Sequence, residues 1–182
     1  MNLPNILTLS RIVMIPVFVL VFFLPFQWAA MASAVIFALA AMTDWLDGYL
    51  ARRLDQSTPL GAFLDPVADK LMVAVALTVL IHDYASLVLT LPATIIIGRE
   101  IVISALREWM AEMGKRASVA VSFIGKIKTT CQMVSIVMLL AFPQGEWLAR
   151  LGVLVLVAAA GLTLWSMCLY LQAAWKVLHE PD

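Results

Sequence analysis

The sequence predicts an all-α membrane protein: a bundle of six transmembrane helices with both termini in the cytoplasm. Three observations point there. Of 182 residues, 63% are apolar and 13% charged, and mean hydropathy is +0.97; a soluble domain carries about 25% charged residues. The apolar residues gather in runs of the ~20 that a bilayer core requires, and proline, glycine or charge separates the runs. Basic residues crowd one side of the implied bundle. A zero net charge and two distant histidines, His82 and His179, suggest neither a nucleic-acid footprint nor a histidine metal site. Cys131 and Cys168 form no CxxC and read as small packed side chains. Six spans in 182 residues leave no room for a soluble domain, so the expectation is one domain over 1–182.

Each element has a local reason. No charged residue occurs from Ile12 to Thr43, too long a run for one span, and Pro25-Phe26-Gln27 divides it into helices over about 5–24 and 28–53. Pro4 suits a first turn, whose N–H groups lack partners anyway. Thr58 as N-cap with Pro59 behind it opens a third helix over about 59–81. A fourth spans about 86–113, with a bend allowed at Pro92, and stops at Gly114. Ser118 opens a fifth, about 118–141, which Pro143-Gln144-Gly145 ends. The sixth runs from near Glu146 to about 178, longer than a bilayer needs at ~1.5 Å per residue. Five of the six tryptophans (Trp28, Trp45, Trp109, Trp147 and Trp175) fall near helix ends, as interfacial anchors do.

Basic residues concentrate at cytoplasmic ends. Arg11, Arg52, Arg53, Lys70, Arg107, Lys115, Arg116, Lys126, Lys128 and Lys176 share one half of the bundle, ten of the twelve. Arg99 is near mid-depth and Arg150 lies opposite. That half is placed in the cytoplasm, together with both termini.

The same half holds the chemistry. Asp44 and Asp47 are three apart, Asp65 and Asp69 four apart, and either spacing puts a pair on one helix face. The short connection between helices two and three lets the pairs converge. Four carboxylates at low dielectric cannot all stay charged without protonation, basic partners or metal. Arg52, Arg53 and Lys70 are too few to neutralise them. Hard divalent cations resolve the problem, since Mg²⁺ takes carboxylate and phosphate oxygens, and two ions ~3.5–4 Å apart can clamp a phosphoryl displacement. Gly48 and Ala51 leave a groove for a large substrate, and Arg52 offers a fork for phosphate. Intramembrane acids also mark ion pathways, so an ion-coupled transporter is the alternative class. It predicts inverted repeats or helices broken at mid-membrane, and the sequence shows neither.

The run Asp44-x2-Asp47-Gly48-x2-Ala51-Arg52-x8-Gly61-x3-Asp65-x3-Asp69 resembles the signature of the CDP-alcohol phosphatidyltransferase family, with every fixed position present. Asn5-Ile-Leu-Thr8-Leu-Ser-Arg11, Gly98-Arg99-Glu100 through Arg107, and Gly125-Lys126-Ile-Lys128-Thr129 look like the glycerol-phosphate-using bacterial branch. The resemblance implies transfer of a phosphatidyl group from CDP-diacylglycerol to sn-glycerol 3-phosphate, with release of CMP. It also implies a homodimer in the bacterial inner membrane, with its site facing the cytoplasm. Under it, Asp44 and Asp65 touch both Mg²⁺ ions (Mn²⁺ can substitute), Asp47 one and Asp69 the other, and Asp69 is the general base. Gly48, Arg52, Thr58, Asn5 and Thr8 line the CDP-diacylglycerol headgroup. The signature leaves the acceptor open, and relatives use inositol phosphate or serine. A phosphorylated acceptor needs a cationic pocket, for which Arg107, Lys126, Lys128 and Arg11 are the candidates. Lys126 and Lys128 do not share a helix face, so one of them points inward. For Arg99-Glu100, a structural ion pair and a substrate contact both stand as readings.

Overall fold

The computed structural model describes residues 3–54, 59–113 and 123–179, and their side chains except at 3–5, 44–54, 59–60, 62, 123–126, 173 and 176–179. Among the described residues the chain is all-α, with helices α1 (Leu3–Phe22), α2 (Ala29–Leu54), α3 (Pro59–Tyr84), α4 (Leu87–Glu112), α5 (Phe123–Ala141) and α6 (Trp147–His179). Leu87–Glu112 and Trp147–Gln172 are long and apolar enough to cross a membrane, and Ile6–Phe22, Ala29–Thr43 and Ile127–Ala141 are shorter apolar segments.

The helix boundaries follow local chemistry. Residues 23–28 make the break that Pro25 demands. α3 starts at Pro59, as read from the sequence, whereas the capping role of Thr58 lies outside the described residues, as does the expected start of α5 at Ser118. α3 runs on to Tyr84 rather than stopping near 81. It ends when Ala85 turns left-handed at φ 45° and its N–H bonds the Ile81 carbonyl at 3.1 Å, a C-terminal arrangement that usually falls to glycine. Ser86 is then extended, and its carbonyl takes the Leu89 and Thr90 N–H groups at 3.1 and 2.9 Å, opening α4. Pro92 lies inside α4 without ending it. Gly145 makes the α5–α6 turn at φ 98°, a conformation for which glycine has no steric penalty.

α1 packs on α2 and α3, α6 on α4 and α5, and α2–α5 and α3–α4 join the two groups. The core runs through Phe18, Phe37, Leu77, Leu80, Ile96, Ile136, Leu140 and Leu156. Phe18 and Phe37 meet with ring centroids 6.3 Å apart. Alanines 34, 40, 76, 93 and 160 sit buried among them. Small residues let helices approach where lipid replaces water and packing, rather than water exclusion, holds helices together. Gly152 of α6 lies tight against α5, where a Cβ would meet Leu139 Cγ at 3.1 Å and Met138 Cβ at 3.3 Å. There the Ser135 hydroxyl donates to the Gly152 carbonyl at 2.7 Å.

Outside that core, several polar side chains go inward while many large apolar ones face outward. Thr8, Arg11, Lys128, Gln132, Ser135 and Thr163 are buried, while Val13, Leu20, Ile101, Leu154 and Trp165 are exposed. In water this distribution would be unfavourable; in lipid it is the stable one.

Candidate functional site at one end of the bundle

α2 carries Asp44, Asp47, Gly48, Ala51 and Arg52 in its last turns, and α3 carries Asp65 and Asp69 in its first turns. Four residues, 55–58, join the helices, so the acidic turns stand at one end. The side chains of Asp44, Asp47 and Arg52, and all of Thr58, lie outside the described residues, as does the Asn5 side chain.

On α3 the geometry is visible. The fully buried Thr8 hydroxyl of α1 donates to Asp65 Oδ1. Arg11, one turn later and 2% exposed, places Nη2 3.6 Å from the same oxygen. A helix in this position would normally turn threonine and arginine toward water; here the apolar outer face of α1 leaves them the interior. Asp65 itself stays 42% exposed, so it is reachable from outside the bundle while held from behind. Arg11 and Asp69 share a small internal cavity of about 10 Å³ with Ala68, Met72 and Met133. This first cluster therefore joins α1 to α3 and is rich in carboxylate.

A second cluster joins α4, α5 and α6. Lys128, buried on α5, donates to Glu100 Oε1 at 3.0 Å, and Arg99 Nη1 donates to that oxygen at 2.9 Å. Arg99 Nη2 reaches the Ser166 hydroxyl of α6 at 3.2 Å. Arg107 Nη2 donates to the Tyr170 hydroxyl at 2.9 Å. The Tyr170 ring carries both guanidiniums, at 5.7 Å for Arg99 and 5.2 Å for Arg107. Lys70 donates to Ser104 of α4, whose hydroxyl donates to the Glu100 carbonyl at 2.5 Å. One carboxylate thus serves two cations, Arg99 and Lys128, while Arg107 stands beside them on Tyr170. Arg99 Nε is buried with no hydrogen-bond partner among the described residues.

Of the four basic residues expected at an acceptor phosphate, three have described side chains. Arg11 belongs to the α1–α3 cluster, Arg107 and Lys128 to the α4–α6 cluster, and the Lys126 side chain lies outside the described residues. Lys128 points inward, as one of that pair was expected to. Of the two readings of Arg99-Glu100, the ion pair is present. Sequence reasoning missed Tyr170 and Ser166. The available signal was spacing: Ser166 and Tyr170 are four apart on α6, and Arg99 and Arg107 eight apart on α4, so each pair shares a face.

An apolar helical bundle with acidic turns at one end and a cation cluster on α4–α6 is compatible with a membrane enzyme. The chain belongs to the CDP-alcohol phosphatidyltransferase family, whose model matches residues 1–165. It is similar to a CDP-diacylglycerol–glycerol-3-phosphate 3-phosphatidyltransferase of Salmonella paratyphi A, 60% identical over 173 residues, covering 95% of this chain and 94% of the relative. A protein of the same name from Pseudomonas fluorescens is 58% identical over 180 residues, 98% of this chain and 92% of its own. Another, from Shigella flexneri, is 58% identical over 173 residues, 95% and 94% of the two chains.

Proposed function

We propose that the protein transfers a phosphatidyl group from CDP-diacylglycerol to sn-glycerol 3-phosphate, yielding phosphatidylglycerol phosphate and CMP. The acceptor hydroxyl oxygen forms the new bond to the phosphatidyl phosphorus, and the bond from that phosphorus to CMP breaks. The observation that carries this reading is the complete acidic signature of α2 and α3, within a chain 58–60% identical to relatives named for this reaction. Membership of a transferase family removes the ion-coupled transporter.

Asp44, Asp47, Asp65 and Asp69 are the proposed ligands of two Mg²⁺ ions, for which Mn²⁺ can substitute. The donor set fits: carboxylate oxygens are the hard ligands that Mg²⁺ prefers, and Thr8 and Arg11 hold Asp65 from behind, as outer partners of a ligand do. When bound, the ions supply charge neutralisation for the diphosphate. The remaining work belongs to the chain. Gly48, Arg52, Thr58 and Asn5 hold the donor headgroup, Thr8 serves it from behind through Asp65, and the acyl chains stay in lipid. Asp69 takes the acceptor's hydroxyl proton, which requires that oxygen within ~3 Å of the carboxylate. Arg107, Lys128 and Lys126 receive the acceptor phosphate. Support for that pocket is the cation excess around Glu100 and the unpaired Arg99 Nε, which a phosphate would balance. Arg11, held at Asp65, serves the edge of the site nearest the acids.

In this reading all six helices span the inner membrane of a bacterium, with both termini and the site on the cytoplasmic side, following the distribution of basic residues. The functional unit is a homodimer.

The test supplies purified protein with CDP-diacylglycerol, Mg²⁺ and one acceptor at a time, and measures CMP release. Glycerol 3-phosphate is expected to react and chelation of Mg²⁺ to stop the reaction. Release of CMP with serine or inositol phosphate while glycerol 3-phosphate is inert would assign the chain another acceptor.

A further inference from the structure

Tyr170 of α6 stands where no sequence signature points, yet both arginines of α4 converge on it. Arg107 is largely exposed, and a long side chain at such a rim samples many rotamers unless something holds it. The Tyr170 hydroxyl holds it, accepting from Nη2 at 2.9 Å, and the ring face lies 5.2 Å from the guanidinium carbon, within range of a cation–π contact. The same ring is 5.7 Å from Arg99. Ser166, one turn earlier on α6, takes Arg99 Nη2. Ser166 and Tyr170 therefore form a rail along α6 against which α4 sets two guanidiniums.

Bringing like charges to one ring is unfavourable between them, and Glu100 offsets only part of the excess. Two cations held on one ring at that cost are preorganised for an anion with more than one charge, as a phosphate monoester has. The Tyr170 hydroxyl occupies one N–H of Arg107, and a guanidinium has five in a planar fork. The rest of the fork stays available to phosphate oxygens.

We propose that Tyr170 is a positioning residue for the acceptor: it orders Arg107, and with Ser166 it orders Arg99, so that the phosphate of the acceptor meets a preset cationic face. The inference rests on the reading of Arg107 as a phosphate ligand. Tyr170 does not touch the reacting atoms, so its removal acts on acceptor affinity rather than on the chemical step.

The experiment measures steady-state kinetics of the purified full chain and of Tyr170→Phe, Tyr170→Leu, Arg107→Ala and the Tyr170→Phe/Arg107→Ala double variant. Glycerol 3-phosphate is varied at saturating CDP-diacylglycerol, and then the reverse. Tyr170→Phe keeps the ring and loses one charge-assisted hydrogen bond, so the acceptor KM should rise about 3- to 10-fold. Its kcat and donor KM should stay within about twofold. Tyr170→Leu also loses the ring and should raise the acceptor KM further. In the double variant Tyr170→Phe should add nothing to Arg107→Ala, because both act through one group. If Arg107→Ala raises the acceptor KM and Tyr170→Phe does not, the positioning role is wrong and the acceptor pocket stands. If Arg107→Ala leaves the acceptor KM unchanged, the pocket itself is wrong and the inference falls with it. A Tyr170→Phe variant losing kcat with both KM values unmoved has a structural role, which also overturns the proposal. Should Tyr170→Leu fail to fold, Tyr170→Phe decides.

Discussion

The α1–α3 cluster and the α4–α6 cluster share one bundle and face opposite charge problems. At the first, Asp65 and Asp69 stand in the opening turns of α3, and the buried Arg11 and Thr8 approach Asp65. At the second, Glu100 is one carboxylate among Arg99, Arg107 and Lys128. An excess of carboxylate is completed by cations, and an excess of cation by an anion. The two clusters thus gather charge of opposite sign. A diphosphate donor needs neutralising charge where its phosphorus is attacked, whereas a phosphorylated acceptor needs only to be held. Under the proposed function the acidic half serves the donor and the cationic half the acceptor, and damage to each half should then read out in a different kinetic parameter.

The largest expected effect breaks the acidic half. Asp69→Asn is nearly isosteric but cannot take a proton, and loss of a general base costs typically 10²- to 10⁴-fold. Loss of a metal-ligand oxygen adds to this, so kcat should fall by about 10³ or more with the helical content of the purified protein unchanged. Radiolabelled CMP release measures it. Retention of more than a tenth of the activity would remove Asp69 from the chemistry and leave the acidic half without its base.

Next comes the cationic half, where the expected loss is in stability. Glu100→Gln withdraws the negative charge from Arg99 and Lys128. Breaking a buried pair costs about 3–5 kcal/mol, but Glu100 keeps 28% exposure, so about 2 kcal/mol is the expectation. Thermal unfolding in detergent reports it. Adding Lys128→Met should recover part of the loss, since it removes one of the stranded cations. If Glu100→Gln melts like the parent protein, Glu100 is not what holds the α4–α5 contact.

The two halves were unequally legible in the sequence, for a physical reason. Binding of a metal would force several oxygens onto one point, so Asp44, Asp47, Asp65 and Asp69 stand out as candidate ligands by their spacing, and helix limits at Pro25, Pro59 and Pro143 come from backbone rules of equally short range. Phosphate binding by arginine imposes no such spacing, because long flexible side chains reach from many positions. Charge alone therefore groups Arg11 with Arg107, and the approach of Arg11 to Asp65 has no signal in the sequence. Tyr170 was invisible because its meaning depends on α6 packing beside α4, a contact between residues more than sixty positions apart. The end of α3 at Tyr84 escaped for a smaller reason: the left-handed Ala85 is a residue type that seldom announces such a turn.

The smallest effect sharpens the comparison on the acidic side. Thr8→Val keeps the shape of a fully buried side chain and removes the hydroxyl that donates to Asp65. Asp65 keeps Arg11 at 3.6 Å, so the carboxylate stays in place but turns more freely. Loss of an outer partner typically costs 10- to 100-fold in metal affinity or activity. With the second partner retained, the Mg²⁺ concentration for half-maximal activity should rise about 10-fold, and kcat at saturating Mg²⁺ should change little. Thr8→Ser, which restores the donor, should return the parent value. The acceptor KM is the discriminating control: it belongs to the α4–α6 half and should not move. A Thr8→Val variant that weakens acceptor binding as much as Mg²⁺ dependence would mean that the two clusters act as one site.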